Sequence, residues 1–172
     1  MIDFEREKKK EDFLKKYNYD KFDKKLIAGD ASFRKYQRIL LDDNKTLVLM
    51  DAPPKFEKIN PFISIAEYLL SLGFSAPKIF HYDIINGFMI LEDLGNDTYT
   101  KLLEKNYNEE KLYSLATSVL IEVHKSVAKR NIPEFIPPFN YKRIINEVSL
   151  LHEWYFPLVK RKPIYSSVQE YI

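Results

Sequence analysis

The sequence predicts an α+β fold in which a twisted antiparallel sheet of about five strands, with one helix packed on it, precedes an all-helical part. Apolar or alternating runs flank turn residues at 42–44 and again at Asn86-Gly87, which is typical of two β-hairpins. An amphipathic helix with clear end signals lies between the hairpins. From Gly95 onward, helix-type patterning replaces strand-type patterning.

Composition excludes several classes of protein. The 172 residues include 45% hydrophobic side chains, enough for a core, and the net charge of +2 gives no general case for nucleic acid or an acidic membrane as partner. The chain has no cysteine, which excludes a disulfide framework and a thiolate metal site. No apolar run is long enough to span a membrane and the first residues are charged, so a cytoplasmic protein is expected.

The first segment, residues 3–17, is expected to form a helix that packs only weakly on the outside, because its apolar edge is thin. The first hairpin follows, and the small residues Gly29-Asp30-Ala31-Ser32 precede its return strand. Such a loop lets backbone N–H groups approach phosphates, which favours a nucleotide site. An ordinary hairpin with a Gly-Asp turn explains the same residues, and both interpretations stay open at this point.

The helix between the hairpins is expected to have Asn60 as N-cap, Pro61 at its first position and Gly73 just past its end. One apolar stripe on this helix is predicted to lie on the sheet: Phe62, Ile65, Ala66, Leu69 and Leu70.

Capping residues also predict the later helices. Asp97 is expected to begin a short helix and Asn108 a long one that ends near residue 129, followed by a proline-rich connector and a helix over about 141–155. The long helix carries a wide apolar face: Leu112, Leu115, Ala116, Val119, Leu120, Val123 and Val127.

Four motifs together resemble one enzyme superfamily. They are GDASFRKY (29–36), VLMDAPP (48–54), GFMILEDLG (87–95) and LHEWY (151–155), in this order along nearly the whole chain. The order of parts is similar to the protein-kinase-like aminoglycoside phosphotransferase and choline kinase superfamily. Within it, the motifs resemble bacterial kinases that act on the anomeric hydroxyl of N-acetylmuramate and N-acetylglucosamine in cell-wall recycling. The resemblance implies a nucleotide-binding first lobe, residues 1–94, and an incomplete helical second lobe, residues 95–172.

The resemblance also implies an ATP site. A loop over the phosphates would comprise Gly29, Asp30, Ala31, Ser32, Phe33 and Arg34, with backbone N–H groups and the Ser32 hydroxyl as donors. The hinge segment, residues 92–94, would read adenine through the Glu92 carbonyl and the Leu94 amide, with Asp93 between them. Leu91 would form a wall of the pocket and Val48 would cover the ring.

Met50 departs from the kinase pattern. Strand alternation puts Met50 on the same face as Val48, at a position where most kinases have a lysine that neutralises the phosphates. A thioether cannot do this, so Arg34 or Lys35 is expected to supply the charge. Glu67 then has no obvious ion partner and is expected to face solvent.

The catalytic motifs of this superfamily, an H-x-D-x-x-x-x-N loop and a downstream magnesium-binding aspartate, do not occur after the predicted helices. Only His81-Tyr82-Asp83 has the histidine-to-aspartate spacing, and it lies in the sheet lobe. We therefore identify no catalytic and no metal-binding residue, and the resemblance implies a chain that stops before the catalytic loop. The apolar face of the long helix, together with Trp154, Tyr155 and Phe156, is accordingly expected to be exposed.

Three interpretations follow from this pattern. The chain is the front part of a split amino-sugar kinase whose second lobe is a separate downstream polypeptide, or it is a decayed gene product. The third is a non-catalytic remnant that binds a nucleotide or a partner. A complete enzyme of this kind would use ATP with magnesium and an amino-sugar acceptor.

Overall fold

The computed structural model describes residues 4–27, 32–129 and 132–159. Helix α1 (Phe4–Lys16) precedes strands β1 (Asp23–Ile27), β2 (Lys35–Leu40) and β3 (Thr46–Asp51), followed by α2 (Asn60–Ser71), β4 (Ile79–Asp83) and β5 (Phe88–Glu92). Helices α3 (Tyr99–Glu104), α4 (Glu109–Ala128) and α5 (Tyr141–Leu150) come next, then a π-helical segment (Leu151–Tyr155) and a last helical turn, α6 (Phe156–Leu158). Two compact units divide the chain, Met1–Asn131 and Ile132–Ile172, and the lobe boundary expected after residue 94 stays a prediction.

The strands form one antiparallel sheet in the order β1-β2-β3-β5-β4, which confirms the predicted fold class. A tight turn over Asp42–Asn44 joins β2 to β3, and Asn44 has a φ of 58° there. Gly87 joins β4 to β5 with a φ of 70°, and a Cβ at this position would lie 2.0 Å from the Ala52 carbonyl oxygen. Asparagine tolerates the left-handed conformation and glycine adopts it without strain, so these turn residues fix both hairpins.

Helix α1 covers one face of the sheet, so the expectation of weak packing is wrong. Phe13 and Leu14 are buried in a cluster with four sheet residues: Ile39, Leu49, Phe88 and Ile90. The apolar edge of the helix is narrow, but its two buried side chains exclude water from this face of the sheet together with partly buried neighbours that include Tyr17 and Phe22.

Arg6 adds a polar contact between α1 and the sheet. Its Nη2 lies 2.6 Å from Asp51 Oδ1 at the end of β3, and both side chains are largely buried. The guanidinium also donates to the Asn86 carbonyl oxygen and lies 3.9 Å from the centroid of the Phe88 ring. Charge-assisted hydrogen bonds of this kind are strong, so Arg6 fixes α1 against β3 and the β4–β5 turn.

Helix α2 covers the opposite face, close to its predicted ends. Ile59, not Asn60, is its N-cap residue, and no side-chain hydrogen bond caps that end. Gly73 lies just past the end of the helix, as predicted, and its φ of 84° is a left-handed conformation that glycine adopts readily. The buried stripe is rotated from the predicted one, because Ile59 and Ile63 pack on the sheet with Phe62, whereas Ile65 and Leu70 are exposed.

The helical part follows the predicted caps with one change. Thr98, not Asp97, caps α3, since its hydroxyl accepts a hydrogen bond from the Lys101 amide at 3.3 Å. Asn108 caps α4 as predicted, accepting from the Lys111 amide at 2.8 Å. Among the described residues, no helix is both long enough and apolar enough to cross a membrane.

The middle of the apolar face of α4 is exposed, as expected, whereas Val123 and Val127 near its end are half-buried. Leu112 is buried, but Leu115 and Leu120 are each 58% exposed. In the second unit, Trp154 and Tyr155 are exposed as well, whereas Phe156 is half-buried.

Candidate functional site

The loop expected to contact phosphates is described only in its second half. Gly29, Asp30 and Ala31 lie outside the described residues. Ser32 and Phe33 are exposed just before β2, and the Ser32 hydroxyl accepts a hydrogen bond from the Arg34 amide at 3.2 Å. This bond closes a tight turn that leads the chain into the strand.

Two contacts join this loop to the segment after β3. The Phe33 and Phe56 rings stack with their centroids 4.4 Å apart. Arg34 donates from Nη2 and Nε to Glu57 Oε2, at 3.0 and 3.3 Å. The cation expected to replace the missing strand lysine therefore already has a carboxylate partner. Lys35, the other expected cation, is exposed at the start of β2.

Burial opposes the charge on Arg34, but hydrogen bonds to Tyr36 and Glu57 hold its pKa above the ordinary value. Arg34 also lines an apolar groove of about 360 Å³ whose other walls come from α2 and the segment before β4: Pro61, Phe62, Ile65, Ala66, Leu69, Ala76 and Pro77.

The strand residues expected to contact the nucleotide share one face of the sheet. Val48 lies opposite Leu91, and Met50 lies opposite Met89, so the antiparallel register puts these side chains on the face that α2 covers. Met50 and Leu91 are buried in that core cluster, whereas Val48 is only half-buried. Val48 is therefore the member of this set with accessible surface for a planar ring.

The hinge segment leaves the end of β5. The Glu92 amide donates to the Lys78 carbonyl at 2.8 Å and the Glu92 carboxylate accepts from the Lys78 amide at 3.1 Å, so this residue is bonded to the chain entering β4. The Leu94 side chain is 66% exposed. Of the two backbone groups expected to bind adenine, the carbonyl therefore belongs to Glu92, which is bonded to the sheet, and the amide belongs to Leu94, whose side chain faces solvent.

Asp93, between them, turns its carboxylate toward β2. Its Oδ1 accepts from Arg38 Nη2 at 3.0 Å and its Oδ2 accepts from Arg38 Nε. Hydrogen bonds from Arg38 lower the pKa of Asp93 below its usual value, against the effect of burial, and bonds from the Gly95 amide and Thr46 act in the same direction. The carboxylate is therefore held in its charged form.

Sequence reasoning missed Arg38, Tyr36 and Glu57. The signal for the first two is the hairpin register: pairing outward from the turn at 42–44 puts Arg38 opposite Val48 and Tyr36 opposite Met50. Glu57 had no such signal, because its contact with Arg34 joins two loops.

His81-Tyr82-Asp83 does not form a catalytic pair. The His81 ring stacks on Tyr17 with centroids 3.9 Å apart, and burial lowers its pKa with a smaller contribution from nearby Lys16. The Asp83 carboxylate accepts from the backbone and side-chain nitrogens of Asn86, at 2.9 and 2.8 Å. Both residues therefore serve the packing and the turn of the β4–β5 hairpin.

Glu67 is exposed, as expected, and it forms no ion pair within the part of the chain that the structure describes. In that same part, no group of three or more histidine or carboxylate side chains is placed to hold a metal ion.

Residues 24–160 match the phosphotransferase enzyme family (APH). The chain belongs to this family. The five-stranded antiparallel sheet and the helices that follow agree with the protein-kinase-like fold of these phosphotransferases.

The curated relatives share one name, N-acetylmuramate/N-acetylglucosamine kinase. The protein of Pseudomonas aeruginosa is 35% identical over 128 residues, which are 74% of this chain and 36% of the relative. The Pseudomonas putida protein is 33% identical over the same shares of both chains. The Neisseria meningitidis protein is 29% identical over 137 residues, covering 78% of this chain and 39% of the relative. This phosphotransferase-family chain therefore spans about two fifths of the length of these relatives.

Proposed function

We propose that this chain supplies the nucleotide-binding part of an ATP-dependent phosphotransferase whose acceptor is an amino sugar. The observation that carries the proposal is the position of the half-buried Val48 on β3. It lies opposite Leu91 of β5, and β5 leads directly into the hinge segment. An adenine ring needs an apolar surface for its faces and backbone hydrogen-bonding groups for its edge. The name that the relatives share supports the amino-sugar acceptor.

The loop before β2 is proposed to bind the phosphates. Ser32 offers a hydroxyl, and Arg34 offers a guanidinium that now binds Glu57. A guanidinium accepts a phosphate in the same forked geometry as a carboxylate, so ATP would compete with Glu57 for Arg34. Met50 is buried in the core and makes no contact of the kind that a lysine at this position would make with the phosphates. Arg34, once released from Glu57, is proposed to supply that contact instead.

We further propose that these 172 residues bind nucleotide without transferring the phosphoryl group at a useful rate. These 172 residues contain no H-x-D-x-x-x-x-N motif to orient an acceptor hydroxyl. A second polypeptide with this motif is the proposed partner for catalysis, and the cytoplasm is the proposed location because ATP is available there. Without a magnesium anchor for the γ-phosphate, ATP and ADP are expected to bind with similar Kd values.

Titration calorimetry at millimolar ATP tests the binding. Leu94→Pro removes the amide proposed to donate to adenine, whereas Leu94→Ala keeps it, and both changes fall on an exposed side chain. The proline variant should raise the Kd for ATP by about tenfold or more, and the alanine variant by about twofold at most. An unaltered chain that binds no ATP, or equal binding by both variants, contradicts the adenine site.

A coupled ADP-release assay with N-acetylmuramate and N-acetylglucosamine tests the catalytic part. Loss of a group that stabilises the transition state costs about 10³ in rate or more, so the chain alone should be near the background. Robust turnover by the chain alone would refute this part. Turnover only after addition of a polypeptide with the missing motif would support a split enzyme, and nucleotide binding with no turnover in any mixture would favour the non-catalytic binding module.

A further inference from the structure

Arg38 connects the sheet to the hinge segment. The residue lies in the middle of β2, opposite Val48. Its guanidinium forms hydrogen bonds with residues that lie between 55 and 58 positions further along the chain. Besides both oxygens of Asp93, it binds the Asn96 side-chain oxygen through Nη1 at 2.9 Å and the Gly95 carbonyl oxygen through Nη2 at 3.4 Å. One side chain thus binds three of the first four residues that follow β5: Asp93, Gly95 and Asn96.

The conformation of Gly95 completes this connection. Its amide donates to Asp93 Oδ1 at 2.9 Å, and its φ of 86° turns the chain that follows this amide. The Asp93 side chain is 5% exposed, and its carboxylate binds Arg38 and the turn instead of facing a ligand. Since the backbone groups proposed to read adenine belong to the residues on either side of Asp93, fixing this carboxylate also fixes their spacing from the sheet.

On this basis, and resting on the proposed nucleotide function, we propose that Arg38 and Asp93 are positioning residues that pre-organise the hinge segment for adenine. They contribute to affinity without touching the nucleotide. A binding site that is pre-formed does not have to be ordered when its ligand arrives. If loss of the Arg38 contacts leaves the hinge segment in its binding-competent arrangement about a tenth of the time, the apparent Kd for ATP rises about tenfold.

Arg38→Lys is the informative change, because lysine keeps the charge but cannot form the forked contact with Asp93. Arg6→Lys is its matched control, since Arg6 also binds a largely buried aspartate but lies on α1, outside the proposed site. Both variants are compared with the unaltered chain for stability by circular dichroism, for ATP affinity by calorimetry, and for hydrogen exchange at the amides of residues 93–96.

The expected result is that Arg38→Lys weakens ATP binding about tenfold and speeds exchange at residues 93–96, whereas Arg6→Lys does neither even if it is equally destabilised. Unchanged ATP affinity or unchanged exchange in folded Arg38→Lys overturns the positioning role while leaving the proposed function intact. Equal weakening of ATP binding by both variants assigns Arg38 a merely structural role and also overturns the proposal. No ATP binding by the unaltered chain overturns the proposed function and this inference with it.

Discussion

Leu14→Ala tests whether α1 is part of the core. The Leu14 side chain is 0% exposed and lies in the cluster formed with Phe13, Ile39, Leu49, Phe88 and Ile90. Removing three carbon atoms from this position costs about 2.4 kcal/mol in lost transfer free energy, at about 0.8 kcal/mol for each. The cavity left behind adds to this, so the free energy of unfolding should fall by about 3 kcal/mol.

Urea unfolding followed by circular dichroism measures this loss. With a slope of about 1.5 kcal/mol per molar urea, the midpoint should fall by about 2 M. Leu26→Ala is the control, because Leu26 is 76% exposed on the edge strand β1 and should change the free energy of unfolding by about 0.5 kcal/mol or less. If Leu14→Ala costs no more than Leu26→Ala, α1 packs weakly outside the domain and the assignment of this core is wrong.

Three further predictions concern stability and are read from the same unfolding measurement. Gly87→Ala should lower the free energy of unfolding by well over 2 kcal/mol, because the new Cβ would clash with a backbone oxygen. Gly73→Ala has open space around the new Cβ, so it should cost only about 1 kcal/mol from the strain of its positive φ. Equal losses for the two variants would contradict the turn geometry. Arg6→Ala should cost about 3 kcal/mol by leaving Asp51 buried without its cation, and a loss below 1 kcal/mol would show that the contact is weak. Asp93→Asn should cost about 2 kcal/mol at pH 7. Because the pKa of Asp93 is lowered in the folded state, this difference should be full above the unfolded-state pKa of about 4 and shrink as the pH falls below it, and a pH-independent difference would refute the ion pair.

The sequence predicted the hairpins correctly because their turns are local. Asn44 and Gly87 adopt left-handed conformations that few residues tolerate, and the period-2 patterning beside them sets which side chains share a face. Asn108 caps α4 as predicted, for the same local reason. The cap of α3 is Thr98, one residue after the predicted Asp97, and a difference of one residue is usual at helix ends.

The packing of α1 was not predictable in the same way. A helix with many charges and a thin apolar edge is typical of a solvated surface helix, and nothing local shows that Phe13 and Leu14 pack on one face of the sheet. Arg6 reaches Asp51 across 45 residues of sequence, a distance at which pattern reasoning has no information.

The sequence by itself therefore determined the fold class, the two hairpins and the family, because these depend on turn chemistry, periodicity and motifs within short stretches of chain. Only the tertiary structure decided what the charged residues near the candidate site do. It assigned Arg34 to Glu57 and Arg38 to Asp93, so that a cation expected at the phosphates and a carboxylate expected at the adenine are already paired. Such pairings join residues that are 23 and 55 positions apart, and their geometry exists only once the strands have been brought into register.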